Sequence, residues 1–195
     1  MIVSDLIELE TKRLRLRQWK LVDREFFAAL NSDPRVMAFF PSLLTRADSD
    51  ALADRCQSLI EERGWGFWAV EIKATQEFIG VVGLNTPSAE LPFSPCVEIA
   101  WRLAFHQWGK GFASEAAREA LHFGFDVLGL QEIVSFTALD NIRSRAVMMR
   151  LGMLECGTFE HPQVQESSGL RQHSLYRLSR ERYLDFQNIE KWNTD

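Results

Sequence analysis

Two periods of hydrophobic and polar residues organise the start of this 195-residue chain. At 13–19, RLRLRQW alternates arginine and leucine with a period of two, which predicts a strand with one buried and one solvated face. At 21–30 the apolar residues recur at helical spacing, and Asn-Ser-Asp-Pro at 31–34 predicts the end of that helix. The pattern therefore predicts a strand followed by a helix.

A second helix and most of the strands follow from the same two periods. The helix is predicted over about 46–62, with Asp48 or Ser49 near its N-terminus and Gly64 after its end. The other predicted elements are an antiparallel hairpin at 66–72 and 78–84, strands at 96–103, 132–139 and 173–178, a helix at about 142–151 followed by Gly152, and a short helix or extension after 179. Strands outnumber helices without strict alternation, which favours a single α+β domain across 1–195.

The stretch HQWGKGFASEAAREALHFGF places Gly109 and Gly111 directly before an alanine-rich helix. One interpretation is a tight turn into a buried helix, because the small residues that follow recur on one helix face. The other is a cradle in which backbone N–H groups and the helix N-terminus bind an anion. A P-loop is excluded because Lys110 is not followed by Ser or Thr, and Ser114 replaces the third glycine of a dinucleotide fingerprint.

Composition narrows the partners and the compartment. The 22 basic residues against 27 acidic residues give a net charge of −5, so no nucleic-acid-binding face is expected. Cys56, Cys96 and Cys156 are widely separated and form no C-x-x-C pair, which predicts neither a disulfide framework nor a zinc site and favours the cytoplasm. The N-terminus lacks a signal-peptide pattern, and no apolar stretch has the length of a membrane span.

Four segments in order resemble the GNAT superfamily of N-acetyltransferases, in particular its ribosomal-protein N-acetyltransferase branch. They are ETKRLRLRQW, VEIAWRL, WGKGFASEA and LDNIRSRAVMMRLGM. The third aligns with the family motif Q/R-x-x-G-x-G/A through Trp108, Gly111 and Ala113, and tryptophan in the first place is typical of that branch. The resemblance covers about 9–183, which leaves 184–195 as a C-terminal extension.

The resemblance implies a GNAT-like α+β fold: a central mixed, mostly antiparallel sheet of about seven strands flanked by about four helices, with a splayed strand pair that holds acetyl-CoA as cosubstrate. It also implies that backbone N–H groups of the glycine loop bind the pyrophosphate, while Lys110 adds charge or faces solvent. Unpaired backbone near Trp101 and Leu103, and the Asn141 side chain, would bind the pantetheine arm. The cofactor residues assigned in this way are Trp101, Leu103, Trp108, Gly109, Lys110, Gly111, Phe112, Ala113, Ser114, Asn141 and Arg143.

Acetylation of an amine requires a group that removes a proton, and two residues are candidates for the proton chemistry. Glu98 is the sole carboxylate of its strand, and superfamily members often keep a glutamate there; the alternative is that it pairs with an arginine or faces water. Ser144, in an N-x-x-S pair, would donate a hydrogen bond near the sulfur. The alternative is a structural role in the first turn of a helix capped by Asp140 or Asn141.

Further candidates lie in the C-terminal third of the chain. His161 and His173 are candidates for the acceptor pocket or for an alternative base, and Arg171 and Glu160 are candidates for recognising the charge of the acceptor. A single histidine on a strand is more often structural than catalytic. Cys96 or Cys156 as an acyl-carrying nucleophile is disfavoured because neither has an adjacent base.

The predicted function is transfer of an acetyl group from acetyl-CoA to a primary amine, of a protein N-terminus or a small molecule, directly within a ternary complex and without a metal. The alternatives are a non-catalytic CoA-binding sensor or structural module and a dinucleotide-binding oxidoreductase. No nucleic acid or membrane partner is expected, and a homodimer is possible through exposed tryptophans such as Trp65, Trp68 or Trp192. The acceptor depends on the shapes of 31–45 and 157–173, which the sequence does not fix.

Overall fold

The structure is a computed structural model that describes residues 6–192, with side chains to residue 188, and these residues form eight strands and five α-helices. The strands are β1 Leu9–Glu10, β2 Leu14–Arg17, β3 Phe67–Ile72, β4 Phe78–Asn85, β5 Glu98–Leu103, β6 Glu132–Ala138, β7 Leu154–Glu160 and β8 Gln172–Ser179. The helices are α1 Asp23–Asn31, α2 Arg46–Arg63, α3 Phe112–His122, α4 Ile142–Arg150 and α5 Arg180–Trp192. The strands form a mixed sheet, so the predicted α+β class is confirmed; β1 and β7 are the strands that the sequence pattern did not predict.

Backbone proximity divides the chain into two compact units. The first comprises Met1–Asn85 and Ala100–Ala120, and the second comprises Thr86–Ile99 and Leu121–Asp195. Strands follow the order β1-β2-β3-β4-β5 in the first unit and β5-β6-β8-β7 in the second, and β5 contributes residues to both. A single domain across 1–195, with its core at about 9–183, stays a prediction, and residues 193–195 of its C-terminal extension lie outside the described residues.

Antiparallel pairing in the first unit starts from the arginine–leucine alternation. β2 pairs with β3, with Leu16 opposite Val70, and β3 pairs with β4 as the predicted hairpin. Leu14 and Leu16 are fully buried, as the period of two predicts. Arg17 departs from this pattern, because it is buried although it lies on the face that was expected to be solvated.

The helices α1 and α2 cover this sheet and are ended by local signals. α2 begins after Thr45, whose hydroxyl accepts a hydrogen bond from the Asp48 N–H at 3.2 Å in a capping box. Thr45 is the N-cap, and Asp48, which was expected near the cap, completes the capping box by accepting a hydrogen bond from the Thr45 N–H at 3.4 Å; Ser49 is buried. The helix ends at Gly64, as predicted, with φ +81°. The core between helices and sheet contains Phe27, Leu30, Val36, Ala53, Ala69, Phe78 and Val81.

In the second unit, β6 pairs antiparallel with β8 along its whole length, and β8 pairs with β7. The parallel pairing of β5 with β6 is recorded at a single register pair, Glu98 opposite Val134. Beside it, the Val134 N–H donates to the Val97 carbonyl at 2.9 Å, and the Ser135 hydroxyl donates to the Ile99 carbonyl at 2.9 Å. So short a parallel pairing is compatible with the predicted splayed pair.

The alanine-rich segment forms α3 and continues as a π-helical turn over Phe123–Val127. Its predicted stripe of small side chains is buried: Ala116, Ala117, Ala120 and Gly124 are all inaccessible or nearly so. Alanine and glycine allow a helix to approach its neighbours closely, which explains why the stripe carries no larger side chain until Leu121.

Of the tryptophans expected at a dimer face, Trp68 is buried and Trp65 is half-buried. Trp68 is fully buried, and its indole N–H donates to the Ile7 carbonyl at 2.9 Å. Trp65 is half-buried with the Arg63 guanidinium 5.8 Å from its ring centre, and the Trp192 side chain lies outside the described residues. The expectation for Trp68 is therefore wrong. Across residues 6–192, no helix combines the length and the apolar character needed to cross a bilayer.

Candidate functional site

Gly109 and Gly111 adopt the backbone conformation that the cradle interpretation requires. Their φ angles are +77° and +81°, in the left-handed region that side chains disfavour. A Cβ added at Gly109 would meet no atom within 4 Å, and one at Gly111 would lie 3.4 Å from Arg13 Nη2. The glycine at 109 is thus required by its backbone conformation and not by crowding.

The turn leads directly into the N-terminus of α3. The Glu115 N–H donates to the Gly111 carbonyl at 3.0 Å, which is the first bond of the helical pattern. The N–H groups of Phe112, Ala113 and Ser114 consequently have no acceptor within the helix. These donors and the positive end of the helix dipole suit an anion such as a pyrophosphate, so the residues present fit acetyl-CoA at this loop.

Residues from the start of the chain hold this loop in place. The sequence did not predict these contacts. Glu115 accepts hydrogen bonds from the Thr11 hydroxyl at 2.6 Å, the Arg13 N–H at 2.9 Å and Arg13 Nε at 2.6 Å. Arg13 Nη1 also donates to the Lys110 carbonyl at 3.0 Å, and its guanidinium lies 4.5 Å from the Phe112 ring centre. Burial would raise the Glu115 pKa, but these hydrogen bonds outweigh it and lower that pKa.

Trp108 and Lys110 are held by neighbouring groups. The Trp108 indole N–H donates to the Leu103 carbonyl at 2.8 Å. That carbonyl already has a donor, which differs from the unpaired backbone predicted at Leu103. The Lys110 ammonium donates to Gln107 Oε1 at 2.9 Å, so its charge is directed along the loop. Trp101 is half-buried on β5, two residues before Leu103.

The remaining predicted residues lie in the second unit. Glu98 is half-buried at the single register pair of β5 with β6. Asn141 is the N-cap of α4: its Oδ1 accepts from the Ser144 N–H at 3.3 Å, and its Nδ2 donates to Thr137 Oγ1 at 2.9 Å. The structural alternative for Asn141 is therefore observed, and Ser144 lies half-buried in the first turn of α4. Arg143 is exposed in the same turn.

Two histidines meet an aromatic cluster in the second unit. The ring centres of His161 and His173 are 5.0 Å apart, and the cluster around them comprises Phe136 and Phe159, with Phe93 against both. Burial lowers the pKa of both histidines, and His173 adds to the effect on His161. The lowered pKa favours the neutral imidazole, which is the form that a base requires.

The other candidates in this part of the chain are two charged residues and two cysteines, and their surroundings make them less suited to bind or attack a substrate. Arg171 Nε donates to Glu160 at 3.0 Å, so these two side chains neutralise each other. Burial, with the charge of Glu98, raises the Cys96 pKa, and Cys156 is exposed. A raised thiol pKa leaves little thiolate at neutral pH, which agrees with the expectation that Cys96 is not a nucleophile.

Comparison with known proteins identifies the class to which this fold and loop belong. The acetyltransferase (GNAT) domain model matches residues 13–154, and the chain belongs to this family of acyl-CoA-dependent acetyltransferases. A relative, the FsC-acetyl coenzyme A-N(2)-transacetylase of Aspergillus fumigatus, is 31% identical over 189 residues, which span 92% of this chain and 79% of that protein.

Two solved structures share the fold. A GNAT-family acetyltransferase from Bacillus anthracis superposes with a TM-score of 0.76 at 22% identity, covering 90% of this chain and 99% of that one. The ribosomal-protein-S5-alanine acetyltransferase from Vibrio fischeri superposes with a TM-score of 0.71 at 18% identity, covering 90% and 97%. At these identities the likeness concerns the fold alone.

Proposed function

We propose that this protein transfers the acetyl group of acetyl-CoA to a primary amine. The observation that carries the proposal is the pair of left-handed glycines at 109 and 111 that leads directly into the N-terminus of α3. The name of the Aspergillus relative, an acetyl coenzyme A transacetylase, supports the same donor.

The proposed binding of acetyl-CoA uses backbone more than side chains. The N–H groups of Gly109, Gly111 and 112–114 would hold the pyrophosphate, and β5 at Trp101 would hold the pantetheine arm. Lys110 would contribute charge from its position against Gln107. Asn141 and Arg143 are proposed to contact the arm from α4, with Asn141 keeping its capping bonds. Bound in this way, acetyl-CoA supplies the acetyl thioester.

Proton chemistry is assigned to two side chains. Glu98 would take the proton from the acceptor ammonium, directly or through a water molecule, so that the amine can react within a ternary complex. Ser144 would donate a hydrogen bond at the sulfur; a serine hydroxyl is a weak acid, and this donation accounts for its whole role. His161 or His173 is the alternative base, since burial lowers the pKa of both and so favours the neutral form.

The test has a binding arm and a turnover arm. Acetyl-CoA at about 100 times its Kd should stabilise the protein by about 2.7 kcal/mol. This corresponds to a rise in Tm of about 5–10 °C, with none for NADH. Release of free thiol with a panel of amines then measures turnover. The change Glu98→Gln should lower kcat about 10²- to 10⁴-fold with little change in the acetyl-CoA-induced shift.

Controls separate the alternatives. Glu90→Gln, which removes an exposed carboxylate from the loop before β5, should leave turnover unchanged. A shift with acetyl-CoA but no thiol release with any amine would favour the non-catalytic CoA-binding module. Stabilisation by NADH instead would favour an oxidoreductase. Unchanged turnover in Glu98→Gln would show that Glu98 is not the base.

The finer assignments come from the sequence. The ribosomal-protein branch is proposed from the motif segments, and a protein N-terminus therefore stands beside small amines as the acceptor. A cytoplasmic location and a metal-free reaction are proposed from the cysteine pattern and from the absence of metal-ligand spacing in the sequence. A homodimer is proposed with half-buried Trp65 at its face in place of the buried Trp68.

A further inference from the structure

Arg102 stands out in the first unit because its guanidinium is enclosed without a carboxylate. It lies on β5 between Trp101 and Leu103. Its Nη1 donates to Asn31 Oδ1 at 2.6 Å, and its Cζ lies 4.0 Å above the ring of Phe40. Among the described residues, its buried Nε has no hydrogen-bond partner. The residue as a whole is half-buried, so part of it contacts solvent.

The charge of Arg102 is also uncompensated within the part of the chain that the structure describes. Burial lowers its pKa to about 10, and only the Cys56 thiol acts in the opposite direction. Buried arginines are normally paired with carboxylates, because an unpaired charge in a low-dielectric site loses its hydration without compensation. Such a guanidinium is therefore prepared for an anion supplied from outside.

The groups around Arg102 are fixed before any ligand arrives. Asn31 is fully buried; its Nδ2 donates to Ser49 Oγ at 2.9 Å, and its backbone carbonyl accepts from the Leu44 N–H at 3.1 Å. These bonds orient Oδ1 toward the guanidinium. Phe40 covers one face of Arg102 and belongs to the segment 31–45, which sequence analysis connected with the choice of acceptor.

We propose that Arg102 binds a carboxylate of the acceptor, so that the acceptor class is an amine that also carries a carboxylate, as amino acids do. The inference rests on the proposed acetyltransferase function and specifies its substrate. Trp101 and Leu103, on either side of Arg102, are the residues proposed to lie along the cofactor arm. Side chains alternate along a strand, so Arg102 points to the opposite side from these two residues. A guanidinium recognises a carboxylate through paired, charge-assisted hydrogen bonds.

The experiment compares acceptors that differ only at the carboxylate. For a panel of amino acids and the matching carboxamides, the ratio of kcat/KM for carboxylate to carboxamide is measured in the wild type and in Arg102→Gln. We expect the ratio to fall about 10- to 100-fold in the variant, mostly through KM. Arg55→Gln, which removes an exposed arginine from α2, is the matched control and should leave the ratio unchanged.

A second variant keeps the guanidinium and occupies it. Asn31→Asp places a carboxylate where Oδ1 now accepts from Arg102, and Ser49 can donate to it in place of accepting. This variant should also lower the ratio, and it guards against a folding defect in Arg102→Gln. An equal loss of kcat/KM for both acceptor types in both variants would show that Arg102 only holds the 31–45 segment, and would overturn the proposal.

Failure of the proposed function would look different. Thiol release would then be absent with every acceptor although acetyl-CoA still raises Tm. In that case, N-acetyl amino acids and their amides serve as probes of binding by thermal shift. Stabilisation by the carboxylate form alone, lost in Arg102→Gln, would support the anion site. Equal shifts, or none, would refute it.

Discussion

Arg17 and Arg102 are two arginines enclosed in the same unit, and they differ in what surrounds the charge. Arg17 donates from both Nη atoms to Asp23, at 2.7 and 2.8 Å, and from Nε to Glu71 at 2.6 Å. Arg102 has Asn31 and the ring of Phe40 instead. Burial alone lowers the pKa of both, but at Arg17 the carboxylates outweigh it and raise the pKa. A buried arginine that the fold has neutralised is structural, whereas one left without a carboxylate is available to a ligand.

Breaking the Arg17 network should give the largest effect on stability. In Arg17→Met the carboxylates of Asp23 and Glu71 stay buried without their main cation, which should lower the free energy of unfolding by about 3–5 kcal/mol. The matched change Arg102→Met removes a cation that has no carboxylate, so its loss should be at least about 2 kcal/mol smaller. Urea denaturation of both variants measures the difference, and equal losses would contradict the distinction between the two arginines.

Substitutions at Asn31 should change the free energy of unfolding in opposite directions, depending on whether the new side chain offers Arg102 a carboxylate or no acceptor. Asn31→Asp supplies the missing carboxylate and should raise the free energy of unfolding at pH 7 by about 1 kcal/mol, the size of a modest charge-assisted hydrogen bond. Asn31→Ala removes the acceptor of Arg102 and should lower the same free energy by about 1–3 kcal/mol. If the aspartate destabilises as much as the alanine, Arg102 does not lack an anion.

The smallest effect is expected in the pH dependence of the Arg17 network. Burial would raise the Glu71 pKa, but hydrogen bonds from Arg17 and Lys20 outweigh it and lower that pKa. The stabilisation from Glu71 is therefore present above its unfolded pKa of about 4.3 and is lost as pH falls through the lower, folded pKa. Glu71→Gln should reduce the fall in Tm that the wild type shows between pH 7 and pH 3. An equal fall in Tm in the variant and the wild type would exclude Glu71 as the source of this pH dependence.

Sequence alone predicted the parts of the site that are built from adjacent residues. The two glycines and the helix that follows them are contiguous from Gly109 to Ser114, and backbone preferences act within a few residues. The same holds for Gly64 and Gly152, which end their helices in the left-handed conformation as predicted. The hydrophobic stripes also predicted which faces are buried, since a strand or helix repeats with a fixed period.

Only the tertiary structure decided which charges meet. Arg13 braces the glycine loop through Glu115, which lies 102 residues further along the chain, and Arg17 reaches Glu71 across 54 residues. The basic stretch at 13–17 looked solvated because its period is that of a strand, and periodicity says nothing of a carboxylate brought in from another element.

The lack of a carboxylate at Arg102 is likewise invisible in the sequence, as is the meeting of His161 and His173. The strands and the glycine turn follow from short-range preferences that each residue carries with it. Whether a buried charge is neutralised depends on register and packing between distant segments. In this protein the glycine turn is therefore predictable from the sequence, whereas the pairing of charges is decided only by the tertiary structure.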